Sequence, residues 1–333
     1  MGSHPLLGEM VTTMSAKRAG RKTMWRAVSV AVAVVLAGYV VFAQGVNEAP
    51  EGVELTGNWV SRSFTEWNTQ TKRTFDYLGI PLNDAARAWT LSHSEEQLSE
   101  PERQCAFYTS TYFPYGFAPL PMWKETELRT GSTMAWVVGG WLDVVPMVIW
   151  MDGRSHPSQY APHDAGGFTT GVWEDDVLTT YTTHMIANLL HRRAPHSDLA
   201  TMTLRFSRHG DILSLTGRIE DPVYLTEPLY VSREWQLSSN PVNRAAVPCT
   251  SAFEGIPTGK VPSYLPGENP FVDEVSRLWG IPQEAVNGGA ETMYPEFRKK
   301  IRDKYVRPEK CVANATELAI GGCGGPGRVA PVN

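Results

Sequence analysis

The chain has 333 residues, 20% of them charged, and a formal net charge of −5 at pH 7. The first 26 residues hold five lysines or arginines and Glu9, a net charge of +4, so the rest of the chain carries −9. Nucleic-acid binding requires clustered lysines and arginines, so this balance argues against a nucleic-acid partner and favours either a basic protein surface or no partner.

An uncharged run of 17 residues, 27 to 43, follows the basic tail. It is longer than a typical signal-peptide core and at the lower limit for a bilayer-crossing helix. Val41-Phe42-Ala43 offers a cleavage site, whereas Trp25 and Tyr39 would suit the two interfaces of a retained helix. Both alternatives stay open. In either, the basic tail stays in the cytoplasm and the rest is exported, so we expect a protein anchored on the periplasmic side of a bacterial inner membrane, or released after cleavage near Ala43.

Composition and pattern divide the chain into five predicted parts. They are a basic cytoplasmic tail (1–26), a transmembrane anchor or signal segment (27–44), a linker (45–56), a β-rich exported domain (57–245) and a C-terminal helical and loop extension (246–333).

Alternation of apolar and polar residues predicts about nine strands in the exported domain. Three hairpins stand out: residues 134–151 turning at Gly139-Gly140, residues 167–184 turning at 174–176, and residues 199–219 turning at 209–211. Single strands are predicted at 57–64, 122–128 and 225–235. Short strands joined mostly by tight turns predict an antiparallel barrel or sandwich.

Helix signals interrupt the β pattern in the interval from 67 to 120 and return near the C-terminus. Asn83 is a predicted N-cap for a short helix through Trp89, within an insertion that covers one end of the barrel. Asn269 as N-cap, Pro270 and Gly280 bound a second predicted helix. A third is predicted over residues 295–306.

The four cysteines predict disulfides, because an even number in an exported chain favours pairing. We expect Cys311 to pair with Cys323 and Cys105 with Cys249, although four cysteines allow three connectivities. The chain has no C-x-x-C-H sequence and no glycine-rich phosphate loop, so no cofactor is predicted.

Catalytic motifs are equally sparse. His196, Ser197 and Asp198 are contiguous, so they cannot place their side chains in a triad line. A metal or acid/base site would have to be assembled from His156, His163 and His184, which lack the usual short ligand spacings. We keep a hydrolase or metalloenzyme as an alternative that requires these imidazoles to converge with carboxylates behind them.

Eleven tryptophans are the more unusual feature. Most should fill the interior of the β-domain, and any that are exposed would form a surface for a ligand or partner. The candidates for such a surface are Trp59, Trp123, Trp136, Trp141, Trp150 and Trp173.

Gly57-x-Trp59, at the start of the first strand, resembles the entry motif of lipocalins and related calycin barrels. This resemblance implies a lipocalin-like barrel, preceded here by one hydrophobic helix and carrying extra helices. It also implies that Trp59 closes the barrel base and that an arginine, here Arg233, packs on it.

Several longer segments are similar to a family of exported bacterial proteins of unknown function. They include "WMDGRSHP", "GFTTGVWEDDVLTTYTTH" and "EDPVYLTEPL", and the resemblance extends over most of residues 57 to 306. It implies an exported β-rich domain and transfers no catalytic residue.

The sequence thus supports three hypotheses of different classes. The first is a non-enzymatic, membrane-anchored exported protein that docks as an accessory subunit of a larger membrane complex. The second is a soluble lipocalin-like carrier of an apolar small molecule. The third is the histidine-based hydrolase or metalloenzyme.

Overall fold

The computed structural model describes residues 48–62, 80–93, 105–115, 119–139, 145–191, 194–240, 263–270, 272–273, 276 and 281–304. The chain divides into two compact units, Met1–Glu48 and Ala49–Asn333. The predicted tail and the membrane or signal segment lie outside the described residues, as does Trp141. Among the residues that the structure describes, no helix has the length and apolar character needed to span a bilayer.

Nine of the strands in the described part of the chain close into a barrel, which confirms the predicted β-rich barrel and excludes the sandwich. The barrel order is β1-β2-β3-β4-β5-β6-β9-β10-β11, with β11 returning to β1, and β7 and β8 form a separate two-stranded sheet. The strands are β1 Gly57–Ser61, β2 Leu120–Thr126, β3 Thr133–Val138, β4 Met147–Trp150, β5 Phe168–Glu174, β6 Val177–Thr183, β7 Asn188–His191, β8 Ala194–His196, β9 Thr201–His209, β10 Ile212–Glu220 and β11 Leu229–Ser238.

One neighbouring pair in the barrel is parallel. Strand β4 pairs with β5 through Ile149 opposite Thr169 and Trp150 opposite Thr170, whereas the other barrel pairs are antiparallel. A ring with an odd number of strands cannot alternate direction all the way round, so at least one parallel pair is required. Parallel neighbours need a long connection, and residues 151–167 provide it on the outside of the barrel.

The interior follows from the two-residue period of the strands. In the β9–β10 hairpin most inward positions are buried, whereas Arg208 near the end of β9 is partly exposed, and the outward positions are more exposed. The predicted inner face of this hairpin is confirmed, because its six predicted residues are each at most 1% exposed: Met202, Leu204, Phe206, Leu213, Leu215 and Ile219. Trp59, Trp136, Trp173 and Trp235 also lie in the core.

The segment before β1 is fastened to one end of the barrel. Leu55 is fully buried and its carbonyl accepts a hydrogen bond of 2.9 Å from Trp59 Nε1. Glu54 pairs with Lys124 at 2.5 Å, and the Arg208 guanidinium donates to the Glu54 carbonyl. Part of the segment predicted as a linker therefore packs as a plug against the barrel.

The predicted helix after Asn83 is confirmed. Helix α1 spans Asp84–Leu91, and the Asn83 side chain accepts from the Ala86 amide at 3.0 Å, as an N-cap should. A 3₁₀-helix, Ser110–Tyr115, follows and brings Pro114 close to Gly217 in β10, where an added Cβ would lie 3.1 Å from the proline ring. The insertion therefore reaches the barrel wall at the end opposite the plug.

The described C-terminal residues make contacts to α1. The Asn269 side chain, predicted as an N-cap, donates to the carbonyls of Leu91 and His93, both at 2.9 Å. Most of the predicted helix after it lies outside the described residues. Helix α2 spans Gln283–Val286, and α3 spans Pro295–Ile301 and continues as a 3₁₀-turn, Arg302–Lys304, which confirms the third predicted helix.

The tight turn predicted at Gly139-Gly140 is wrong. Strand β3 ends at Val138 and β4 begins at Met147, so the connection is longer than a hairpin turn. Gly139 continues toward β2, where its amide donates to the Pro121 carbonyl at 2.7 Å. A Cβ there would lie 2.5 Å from the Pro121 ring, so this glycine serves close packing and not a turn.

The predicted disulfides fall mainly outside the described residues. Cys105 is the cysteine that the described part contains, and it is not a free thiol. Because Cys249, Cys311 and Cys323 lie outside that part, the pairing stays a prediction.

Three inward-facing threonines on β5 and β6 allow a matched test of interior polarity. Thr169 and Thr182 hydrogen-bond to each other at 2.8 Å, whereas the buried Thr180 hydroxyl has no partner. We expect Thr180→Val to raise the free energy of unfolding by about 1 kcal/mol, because it removes an unpaired buried hydroxyl. Thr182→Val should lower it by about 1 kcal/mol, because it leaves Thr169 unpaired. Denaturant unfolding of both variants measures this, and equal effects of the two would contradict it.

Candidate functional site

The candidate site is the connection 151–167 together with the outer surface of β5 and β6 beneath it. Structureless connections of this length in a compact domain are usually functional. Outward positions of the two strands, among them Thr170, Tyr181 and Thr183, are more exposed than the inward ones. We call this surface, with the crossover over it, the crossover face.

An aromatic and ionic group opens the crossover face at the end of β4. The Arg154 guanidinium lies 3.6 Å from the centre of the Trp150 ring, within the range of a cation–π contact. Its Nε donates to Asp152 Oδ1 at 2.8 Å and its Nη2 donates to the other oxygen of the same carboxylate. The hydrogen bond from Arg154 lowers the pKa of Asp152, so the pair stays ionised and holds the guanidinium over the indole.

His156 fastens the crossover to both strands. Its Nδ1 is 2.7 Å from Thr183 Oγ1 and its Nε2 is 2.9 Å from Thr170 Oγ1. The rings of Phe168 and Tyr181 flank it, each with its centroid 5.1 Å away. Burial, and to a smaller extent the nearby His184, lower the pKa of His156. The imidazole therefore favours its neutral form in the folded protein.

His184 and His163 add two further links. His184 Nδ1 is 2.7 Å from Thr183 Oγ1, and its Nε2 donates to the Ser158 carbonyl at 2.9 Å. His163 Nδ1 donates to the Met185 carbonyl at 3.0 Å, and the two imidazole centroids are 5.0 Å apart. His184 also has a positive φ of 58°, an uncommon conformation for a residue other than glycine. Strain of this kind persists only where surrounding contacts impose it.

The three histidines predicted as an alternative metal site are thus close together, but their nitrogens serve hydrogen bonds. Those of His156 and His184 all face threonine hydroxyls or a backbone carbonyl. The nearby Asp164 carboxylate accepts from the Gly167 amide at 2.6 Å instead of standing behind an imidazole. Within the described ranges, no three His, Cys, Asp or Glu side chains are arranged to hold a metal ion. The three histidines hold the crossover against β5 and β6 through hydrogen bonds.

The candidate tryptophans divide between the two sides of the barrel wall. Trp59, Trp136 and Trp173 are buried inside it, where the rings of Trp136 and Trp173 meet edge to face at 6.4 Å. Trp123 and Trp150 are half-buried on the outside. The predicted ligand or partner surface therefore retains only these two among the described candidates.

The arginine expected to pack on Trp59 is a different residue. Arg208, and not Arg233, lies over the Trp59 ring at 5.3 Å. Both arginines face the barrel interior. In the strand register Arg208 lies opposite Leu213, whereas Arg233 lies opposite Leu215, which is two residues farther along β10 from the plug. Arg233 is 4% exposed and belongs to the interior.

The sequence did not predict a buried polar network at the end of the barrel opposite the plug. Ser197 donates through its amide and its hydroxyl to the Asp221 carboxylate, at 2.6 and 2.8 Å. His196 bonds the Thr109 hydroxyl and the Ser197 carbonyl, so it does not activate the serine. The partner of Ser197 is therefore a distant aspartate instead of the adjacent Asp198, and no local spacing signals it. Next to this network lies a cleft of about 430 Å³, lined by Leu199, Leu225, Pro222, Pro228, Glu220 and Glu227.

The lowered pKa of His156 predicts a pH dependence of stability. An unfolded histidine titrates near 6.5, so the unfolded chain binds more protons than the folded one just below that value, and stability should fall as the pH drops below about 6.5. His156→Gln removes the titrating group and should flatten this fall. Thermal unfolding measured from pH 8 to pH 5 tests it, with His209→Gln at an exposed turn as control. A wild type and an H156Q variant with parallel pH profiles would contradict the prediction.

Comparisons of this chain with protein-family models, with curated proteins and with solved structures found no match. The resemblances to lipocalins and to an exported bacterial family therefore stay predictions. What the protein does has to be inferred from the geometry of the barrel and its crossover face.

Proposed function

We propose that this protein acts without catalysing a reaction, as an exported accessory subunit that is held at the membrane by residues 27–44 and docks on a partner protein through the crossover face. The observation that carries the proposal is the distribution of large side chains. The interior is filled, whereas ordered aromatic groups stand on the outside.

The filled interior argues for an outer binding surface. Trp59, Trp136 and Trp235 are each at most 1% exposed, and Phe206 and Phe113 are at most 2% exposed. Barrels that carry ligands keep an interior cavity, whereas small barrels without one are filled by side chains. The packing of these rings therefore favours a scaffold over a container.

The crossover face has the features of a docking surface. Tyr181 is 45% exposed and Tyr160 is 87% exposed, and Trp150 is half-buried beneath Arg154. Tryptophan, tyrosine and arginine dominate binding energy at protein interfaces. The hydrogen bonds of Asp152 and His156 hold these groups before a partner arrives, which reduces the entropy lost on binding.

The net charge of the exported part favours one kind of partner protein. The part after residue 26 carries a net charge of −9. Long-range attraction would steer it toward a basic protein surface. The Asp152–Arg154 pair has no net charge. The crossover face would therefore supply the contact area, and the acidic residues elsewhere in the domain would supply the long-range electrostatic attraction.

A paired substitution tests the docking proposal. We expect Trp150→Ala with Tyr181→Ala to abolish co-purification of the companion subunits when the full-length protein is extracted gently from membranes. Tyr230→Ala, which removes a ring 63% exposed on β11, should leave them in place. Native mass measurement of the extracted species provides the readout. A wild-type chain that is extracted alone and monomeric would defeat the proposal.

The soluble carrier is a second candidate, and one observation favours it. The indole N–H groups of Trp136 and Trp173 are buried without a hydrogen-bond partner. Unpaired buried donors of this kind usually have an explanation, and a carbonyl group on an otherwise apolar ligand would satisfy them.

Native mass measurement of the protein released after cleavage near Ala43 tests the carrier. A bound small molecule that is lost on Trp136→Phe with Trp173→Phe would support it. A mass equal to that of the bare polypeptide would reject it.

A further inference from the structure

The helical segment 295–304 has a charge opposite to that of the domain that carries it. It holds five basic residues, Arg298, Lys299, Lys300, Arg302 and Lys304, against two acidic ones, a net charge of +3. None of its helical residues is fully buried. A strongly basic element on an acidic domain requires a reason beyond solubility.

On one side of this segment two lysines share one carboxylate and two apolar side chains are half-buried. Glu284 in α2 binds Lys300 at 3.4 Å and Lys304 at 2.5 Å. These two ion pairs lower the pKa of the Glu284 carboxyl, with the hydrogen bond from Lys304 as the largest cause. Phe297 and Ile301 are half-buried on the neighbouring side of the helix. The protein thus supplies an anion and apolar contacts for one side of the segment.

The outer side is not neutralised. Arg298, Lys299 and Arg302 stand at positions i, i+1 and i+4, which lie on one face of a helix. All three are exposed. Within the described residues, neither Arg298 nor Lys299 has an acidic group at ion-pair distance, and Arg302 meets only its neighbour Asp303 at 3.4 Å. We call these three residues the basic face.

We propose that the basic face binds an anionic phospholipid surface. Three cations on one face of an exposed helix match a plane of phosphate groups, and two of them are arginines, which bind phosphate with two parallel hydrogen bonds. Each cation near anionic lipid strengthens binding roughly fivefold, so three give about a hundredfold. Such a contact is weak alone but sufficient to orient a domain that is already at the membrane.

Lipid fits this face better than the other polyanions. A nucleic acid would be held by these three cations alone, whereas a lipid surface would also hold the proposed anchor, residues 27–44. An acidic protein partner would be expected to insert an anchor into a pocket, whereas the basic face consists of three exposed cations. The role of the contact rests on the proposed location at the membrane, but lipid binding itself does not require the N-terminal segment.

The test compares lipids of different charge with the full-length chain. It is placed in nanodiscs of phosphatidylcholine alone or of phosphatidylcholine mixed with phosphatidylglycerol, and backbone hydrogen exchange is followed in peptides covering 295–304. We expect exchange in this segment to slow at least about fivefold with the anionic lipid. The protection should disappear in about 1 M salt, where the screening length is about 3 Å.

Two triple variants with the same change in charge distinguish local from general electrostatics. R298Q/K299Q/R302Q should abolish the lipid-dependent protection, whereas R129Q/R205Q/R218Q, three cations elsewhere on the barrel domain, should keep it. Equal exchange in both lipids, or equal loss in both variants, overturns the inference. Protection that appears only in native membranes with companion proteins also overturns it, in favour of an acidic protein partner.

If the proposed membrane anchoring is wrong, the experiment gives a different result from the one expected if lipid binding is wrong. A chain that does not enter the discs contradicts the membrane-held function, and the same exchange measurement is then made on the free chain with vesicles of the two compositions. The lipid inference stands or falls on the difference between those compositions.

Discussion

The constraint on which the architecture depends is the odd number of strands in a closed barrel. Nine strands cannot alternate all the way round, and the parallel pair β4–β5 resolves the mismatch. Its connection must travel back along the barrel wall, and residues 151–167 do so without forming a helix. Side-chain hydrogen bonds hold it to the wall: His156 bonds Thr170 and Thr183, His163 bonds the Met185 carbonyl, and His184 bonds the Ser158 carbonyl of the crossover. The candidate site therefore exists because the odd number of strands requires a parallel pair and a crossover.

Inside and outside follow different physical rules in this barrel. Inward positions bury large rings and branched chains, and the few polar groups there either pair, as Thr169 and Thr182 do, or stay unpaired at a cost. Outward positions on β5 and β6 carry hydroxyls and a tyrosine that hold the crossover in place. The plug packs at one end of the barrel, and the insertion reaches the wall at the other.

The sequence was informative where structure is local. Alternation and turn residues placed the β5–β6 and β9–β10 hairpins, Asn83 placed α1, and the position of Pro295 agrees with the start of α3. Long-range facts were not accessible. The parallel pair depends on the total strand count, the partner of Ser197 is Asp221 at a distance of 24 residues, and the choice of Arg208 over Arg233 depends on barrel register. The three histidines come together because of the path of the crossover, and the spacing of the histidines in the sequence does not predict that path.

Closure of the barrel also sets the order in which the domain can form. Strand β1 pairs with β11, so Asn58 lies opposite Ser238, and its other neighbour β2 begins only at Leu120. Contacts between residues so distant in sequence form slowly, because the intervening chain must first be ordered. Among the described barrel strands, β1 therefore waits for β11 to close the ring, and the edge of β1 that faces β11 stays open in the interval. The edge of β1 that β11 covers in the finished barrel is therefore exposed until residue 238 has been synthesised, and this exposure follows from the order of the strands.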